Sequence, residues 1–484
     1  MNKISNTHSK VRDVLWGAPP SDPKERRYLF KLDVFVLTYV CLLYFCNFLD
    51  RQAYSSSYLS GMAEDLKMVK NDFNVGNTIF YVGFVISMVP HNLMMLKVRP
   101  RYWLTFCAGT WSILTLINFR LNHFYQLCIL RFFQGVFESC IFGGVHLMLG
   151  SYYPNSKDLV IRTFVFTASG LVGQLFSGVI QAAVHSNLDG LHGLAGWRWL
   201  YIMDFVISFP IVIYGFIFFP DSPDIAKPFY FTEEEHQMAL KNLKKPKNDK
   251  FDKQLLKRVF GKWHWYLFSM LWITGASNEA FAANSILGLW LKYNNYSISD
   301  RNHIPMGVFA VGVVATGLAA YYLKLVGNGK NHWHMNLAVA LIMIISPVLQ
   351  LCKPYNTSFV FAAQFLGGVS YAAQTVSFSY ANIVCSDDLQ ERAIVISSMN
   401  MLGNSMNAWW SIIFFGADTA PKFKNGSIAL LSTAIATIFV VLAIAYLQKR
   451  DDDRIAGLVE QVDIEDVIVG LEKGVQNIDT KEKY

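Results

Sequence analysis

The sequence predicts an all-α membrane protein, with twelve transmembrane helices in two six-helix bundles. Three observations lead there. Only 16% of the 484 residues are charged, against about 25% in a soluble domain, while 53% are hydrophobic. The hydrophobic residues gather in runs close to the roughly 20 residues that a spanning helix needs. The runs fall six before and six after a hydrophilic stretch at 221–262. The net charge of +7 is carried by loops between the runs, so it marks no nucleic-acid partner; the partner it implies is the lipid bilayer.

Residues 1–32 are a polar, basic leading segment with a turn-rich stretch, Trp16-Gly17-Ala18-Pro19-Pro20-Ser21-Asp22-Pro23. They lack the apolar core of a signal peptide, so the first span is expected to direct insertion. An amino-terminal bundle over 33–220 has spans at about 33–57, 75–96, 102–120, 124–150, 160–184 and 197–219. In the central loop 221–262, Thr232-Glu233-Glu234-Glu235 reads as an N-cap followed by acids, the start of a surface helix. A carboxy-terminal bundle over 263–448 has spans at about 263–291, 304–325, 333–351, 358–384, 391–416 and 426–447, and a polar tail follows at 449–484. An even number of spans puts both termini on one side. Basic residues crowd that side, in the leading segment, at Lys97, Arg99 and Arg101, and at Lys241, Lys244, Lys245 and Lys247, which makes it the cytoplasm. The sequons at Asn295, Asn356 and Asn425 then all fall in outside loops, as glycosylation candidates. The seven cysteines show no paired or metal-ligand spacing and read as small apolar helix residues.

Charges inside the spans carry the functional signal. Span one holds Asn47-Phe48-Leu49-Asp50-Arg51. A charge at membrane depth costs at least ~2.5–3.5 kcal/mol and usually faces a water-filled cavity or another charge, so Asp50 and Arg51 are functional candidates. Span four adds Arg131-Phe132-Phe133-Gln134-Gly135-Val136-Phe137-Glu138. Arg131 and Glu138 are two helical turns apart and share one face, about 10 Å apart along the axis, with Gln134 between them. In one reading Arg131 caps the span near a membrane surface and Glu138 pairs with it or with Arg51. In the other, Asp50, Arg51, Arg131 and Glu138 line a cavity between the bundles. Two acids and two bases leave that site nearly neutral when empty. An arriving carboxylate replaces an acid beside an arginine, whose fork matches it, and the displaced acid takes a proton. That is the chemistry of proton–anion symport.

The other polar residues are less specific. Gln174 and Gln181 in span five lie among Gly170, Gly173 and Gly178, whose plainer role is close helix packing. Span seven contains Gly275-Ala276-Ser277-Asn278-Glu279-Ala280-Phe281-Ala282-Ala283-Asn284-Ser285, a softened helix of the kind that lines transporter sites. Its Glu279 is a further proton-site candidate. Asn400, Asn404 and Asn407 form a stripe on one face of span eleven, for interhelical hydrogen bonds or for a substrate's amide and hydroxyls; Tyr371 and Gln374 in span ten are weaker candidates. Trp197-Arg198-Trp199, Trp263-His264-Trp265 and His332-Trp333-His334 read as interfacial anchors. There is no phosphate loop, metal-ligand spacing or catalytic triad, so no enzyme activity, metal or organic cofactor is expected, and protons serve as coupling ion.

The six-plus-six layout is that of the major facilitator superfamily, and several stretches match one family within it. Asn47-Phe48-Leu49-Asp50-Arg51, Arg131 with Glu138, Gly196-Trp197-Arg198-Trp199-Leu200 and Phe219-Pro220-Asp221-Ser222-Pro223 resemble the signature of its anion:cation symporter family. Gly61-Met62-Ala63-Glu64-Asp65-Leu66-Lys67, Phe137-Glu138-Ser139-Cys140, Leu389-Gln390-Glu391-Arg392-Ala393 and Asn407-Ala408-Trp409-Trp410-Ser411 are similar to the fungal allantoate-permease branch, and within it to pantothenate:proton symporters. The resemblance covers about 28–450. It implies Asp50 and Glu138 as proton carriers and Arg51 and Arg131 as carboxylate partners. It also implies a monomer in the plasma membrane that imports a small organic monocarboxylate by alternating access. Pantothenate is the first choice, since its hydroxyls and amide would suit Gln174, Asn278, Asn400 and Asn404, with Gln134 beside the arginines. Biotin, nicotinate and an allantoate-type anion are the competitors, and a non-transporting nutrient receptor is the alternative of another class. One departure is the loop after span two, Leu96-Lys97-Val98-Arg99-Pro100-Arg101. It lacks the superfamily's usual acid, which puts a gating salt bridge there in doubt.

Overall fold

The computed structural model describes residues 20–153, 156–242, 253–283, 286–326, 332–385 and 388–479. The expectations for residues 1–19, for Lys244, Lys245 and Lys247, and for Asn284 and Ser285 lie outside them. The described residues contain no strand. Helices dominate because lipid offers backbone groups no hydrogen bonds, and a helix satisfies them within one segment.

The first half runs α1 (Thr38–Ser57), α2 (Asp72–Lys97), α3 (Pro100–Ile117), α4 (Phe124–Glu138, continued by Cys140–Tyr152), α5 (Ser156–Leu188) and α6 (Gly196–Phe218). The second runs α7 (Trp263–Ala283, then Ile286–Tyr293), α8 (Met306–Val326), α9 (His332–Cys352), α10 (Thr357–Gly367 and Tyr371–Val384), α11 (Leu389–Phe414) and α12 (from Lys424). Eight of these, all but α3, α7, α10 and α11, lie in helical stretches long and apolar enough to cross a membrane by length and composition. α10 is interrupted by a 3-10 turn at Gly368–Ser370, and α11 carries the asparagine stripe.

Packing reveals an internal repeat that residue identity does not. In the first half α1 lies along α5, α2 along α4 and α3 along α6; in the second α7 lies along α11, α8 along α10 and α9 along α12. The halves meet through α2 against α11 and α5 against α8, the exchange of equivalent helices that a pseudo-twofold axis produces.

Three features depart from the sequence expectations. The chain enters α1 through a helix at Pro23–Leu32, started by Pro23 and by Asp22, whose carboxylate accepts from Lys24 N at 2.9 Å. At the other end α12 continues to Asp479, because no proline interrupts the polar tail. Trp197 is fully buried, and its indole donates to Asp65 at 2.7 Å, so it is an internal tie rather than an interfacial anchor. The loop after α2 does find an acid, since Arg99 lies 4.0 Å from Asp221, the first residue of the central loop beyond α6. The three sequon asparagines are exposed at the helix ends away from the termini. Asn356 caps α10, accepting from Phe359 N at 3.3 Å.

Candidate functional site

Between the halves lies a cavity with about 1090 Å³ of empty volume, counting the part open to solvent. Its first wall exists because α2 and α4 touch backbone to backbone. A Cβ built on Gly135 would land on the Phe80 carbonyl oxygen, and one on Gly83 would land on that of Phe132. This contact sets Phe80 against both arginines of the wall.

The two arginines stand in different circumstances. Arg51 Nε donates to Glu138 Oε2 at 2.8 Å, and Asn47 Nδ2 donates to the same oxygen at 2.8 Å. The rings of Phe48, Phe80 and Phe84 pack around the Arg51 guanidinium, 4.8–5.2 Å away. Arg51 is thus neutralised by Glu138. Arg131 is not: it is 4% exposed, and among the described residues its hydrogen-bond partner is the neutral Asn77 Oδ1 at 3.0 Å. Its Nε is unpartnered, and it lies over the rings of Tyr54 and Phe80 at 4.5 and 4.4 Å. A buried charge costs several kcal/mol unless it is paired. A guanidinium held so, with donors unspent at a cavity wall, is arranged for an anion.

The second half faces this wall with Glu279, Gln374, Asn400, Asn404 and Asn407. Asn404 Nδ2 donates to Asn400 Oδ1 at 2.9 Å, which keeps both side chains on the cavity. Gln174 reaches across the halves to accept from Tyr371 OH at 3.2 Å. The glycines around it pack as a small-residue face: Gly173 meets the Phe45 carbonyl and Gly178 that of Asn302.

Three nominated residues turn elsewhere, which corrects the four-charge lining. Asp50 does not reach the cavity. Its Oδ2 accepts from Trp111 Nε1 at 2.7 Å and Thr115 Oγ1 at 3.3 Å, because successive helix positions point about 100° apart and Arg51 takes the cavity side. Gln134 donates to Thr115 Oγ1 at 3.1 Å, inside the amino-terminal half. Asn278 bonds Thr433 Oγ1 at 2.7 Å and Thr437 Oγ1 at 3.3 Å on α12.

The sequence reasoning also passed over residues. Asn47 and Asn77 hold Glu138 and Arg131; Asn47 stands in the span-one motif only as a neighbour of Asp50 and Arg51, and Asn77 has no sequence signal beyond being polar within a span. Asp204 on α6 is fully buried, and an acid in the run Leu200-Tyr201-Ile202-Met203-Asp204-Phe205-Val206 was detectable by the rule applied to Asp50. His91, Cys107 and Cys140 gather with ligand atoms within 4.8 Å of one another, from three helices, which spacing along the chain hides.

The Major Facilitator Superfamily family model matches residues 40–411. This chain belongs to the Major Facilitator Superfamily. As a member it is a multi-pass membrane transporter. It is 47% identical over 438 residues to the pantothenate transporter FEN2 of Saccharomyces cerevisiae, covering 89% of this chain and 85% of that protein. The pantothenate transporter liz1 of Schizosaccharomyces pombe is 37% identical over 446 residues, covering 92% and 86%. The vitamin H transporter of Saccharomyces cerevisiae is 26% identical over 470 residues, covering 94% and 79%. Among solved structures, a bacterial homologue of the human lysosomal transporter Spinster, inward-facing and occupied, aligns with a TM-score of 0.60 at 12% identity, over 86% of this chain and 97% of that one. This superfamily fold accounts for the paired helix packing of the two halves.

Proposed function

We propose that this superfamily member imports pantothenate together with protons. The two halves would alternate access around the cavity, in the plasma membrane, with both termini cytoplasmic. The observation that carries the reading is Arg131, a buried guanidinium at the cavity wall with no carboxylate partner among the described residues. The names of the relatives at 47% and 37% identity supply the substrate. A monocarboxylate docks on Arg131 through the unspent donors, beside the Arg51–Glu138 pair. Its amide and hydroxyls then meet Gln374, Asn400, Asn404 and Asn407 on the opposite wall. Of the three acids nominated for the proton, Glu138 and Glu279 line this cavity and Asp50 lies behind it. One proton with one monoanion moves no net charge and draws on the pH gradient. Each further proton gains about 2.3 kcal/mol per 100 mV of membrane potential.

The test is uptake of labelled pantothenate at acid and neutral outside pH, in cells without their own carrier, with excess unlabelled biotin. Acid-stimulated uptake that biotin does not block is the expected result. Uptake of biotin in place of pantothenate would overturn the substrate, and uptake indifferent to pH would overturn the coupling.

A further inference from the structure

One imidazole and two thiols meet inside the amino-terminal half, away from the substrate cavity. His91 is on α2, Cys107 on α3, and Cys140 opens the second segment of α4. None of them lines the cavity. Their ligand atoms lie within 4.8 Å of one another, and Cys107 Sγ is 3.9 Å from His91 Nδ1. Both thiols are fully buried, and His91 is 6% exposed. The Ser87 and Ser139 hydroxyls, 2.9 Å apart, join α2 to α4. Ser87 is one turn before His91 and Ser139 directly precedes Cys140, so this contact sets the imidazole beside the thiol. α3 packs on α4 and brings Cys107.

The geometry suits a metal ion. Zn–S bonds of about 2.3 Å and Zn–N bonds of about 2.0–2.1 Å put sulfur and nitrogen ligands about 3.6–3.8 Å apart at tetrahedral to trigonal angles. The Cys107–His91 distance is already close to that. Thiolate and imidazole are the donors that soft cations select. A divalent cation with two thiolates and a neutral imidazole has no net charge, which a buried site favours; a monovalent cation would leave one negative charge inside. Trp103 Nε1 donates to His91 Nδ1 at 3.1 Å, so Nδ1 is the unprotonated nitrogen of the ring and its lone pair is turned toward the sulfurs. A cation arriving there competes with the indole N–H for that lone pair. His91 stands six residues before the end of α2 and Cys107 seven after the start of α3, about 9–11 Å from the turn that joins them. The other cluster of ligand type, His264, Cys385 and Glu391, is less suited, because Lys262 Nζ already holds Glu391 at 2.5 Å.

We propose that His91, Cys107 and Cys140 form a binding site for a thiophilic divalent cation of the Zn2+ class, which ties α2, α3 and the second segment of α4 together. Each thiol gives its proton to water as its sulfur bonds the ion, and the imidazole supplies its Nδ1 lone pair. A fourth position is left for water.

The purified full-length protein, treated with a chelator and kept reduced, is titrated with Co2+, whose thiolate charge-transfer absorption reports sulfur ligation. A thermal melt with Zn2+ runs beside it. One Co2+ per chain with that absorption, displaced by Zn2+, is expected, and Zn2+ should raise the melting temperature. Cys107→Ala, Cys140→Ala and His91→Gln should each weaken binding more than about 100-fold, beyond the loss that an outer partner causes. Trp103→Phe removes the competing N–H and should tighten binding about 2-fold to 12-fold. It keeps all three ligands, so it also covers a ligand variant that fails to fold. Absence of the charge-transfer absorption in the wild type overturns the site. Undiminished binding in the three ligand variants puts the ion elsewhere, and its loss in Cys385→Ala would place it at the other cluster. Trp103→Phe binding no tighter than the wild type removes Nδ1 from the ligand set. Uptake of Cu+ in place of Zn2+ would overturn the divalent assignment.

Discussion

Replacing Arg131 with alanine separates binding from folding in a way the geometry makes quantitative. The side chain is buried against Tyr54 and Phe80 and donates to Asn77, but among the described residues no carboxylate is in contact with it. In the empty protein its removal forfeits two ring contacts, each worth about 0.5–2 kcal/mol. It also relieves a buried unpaired charge that costs several kcal/mol. The unfolding temperature should therefore stay near that of the wild type. In the complex the same change deletes the substrate carboxylate's charged partner. Truncating one member of a buried, hydrogen-bonded charge pair costs about 2–5 kcal/mol, and every 1.4 kcal/mol is tenfold in affinity, so binding should weaken about 30-fold to 4000-fold. Arg131→Lys keeps the charge but loses the planar fork, and should fall between. Calorimetric titration of the purified protein with pantothenate, beside a thermal melt, reads both quantities. Undiminished affinity would refute the anion-site argument, and affinity lost only in step with the melting temperature would reduce Arg131 to a packing residue.

Other outcomes follow from the same wall and its supports. Arg51→Ala leaves Glu138 buried with Asn47 alone, and breaking a buried pair costs about 3–5 kcal/mol, so its melting temperature should drop where that of Arg131→Ala does not. Glu138→Gln removes the counter-charge of Arg51, so the monoanion should bind more tightly and leave more slowly; an unchanged dissociation constant with an unchanged turnover would sink that role. Gly135→Ala forces α2 and α4 apart at the Phe80 carbonyl and should cost about 1–3 kcal/mol as well as affinity. Gly109→Ala, where the nearest atom is a Val212 methyl at 3.4 Å, should be nearly silent in the same melt. In the central loop, desolvation pushes the Glu235 carboxyl up, but hydrogen bonds from Lys31 and the Thr232 backbone outweigh it and hold it below the ordinary value. A lowered folded value stabilises above the unfolded value of about 4.3 and is lost as pH falls through the folded one. Wild type and Glu235→Gln should therefore differ in proteolysis of this loop at neutral pH and converge in strong acid.

How far the site was legible follows helix by helix. Arg131 and Glu138 share a face at a spacing of seven, and both line the cavity. Asn400, Asn404 and Asn407 do so for the same reason. The pairing within the wall was not legible, because Glu138 could reach either arginine by sequence; the approach of α1 to α4 gives it to Arg51. Asp204 stands alone in its apolar run, without the adjacent base that marks Asp50, so its sequence carries the weaker signal.

By itself the sequence determined the spans and their order. Lipid makes every spanning segment satisfy its own backbone, so an apolar run of the right length carries its structure locally. The tertiary structure alone decided which way each helix faces. Asp50 and Arg51 are neighbours in the chain, as are Asn278 and Glu279, yet in each pair one member lines the cavity and the other is turned into its own half. A helix fixes the angle between two successive side chains, but its rotation about its own axis is set by contacts with helices far away in sequence, here the Phe80 carbonyl under Gly135 and the Trp111 indole on Asp50.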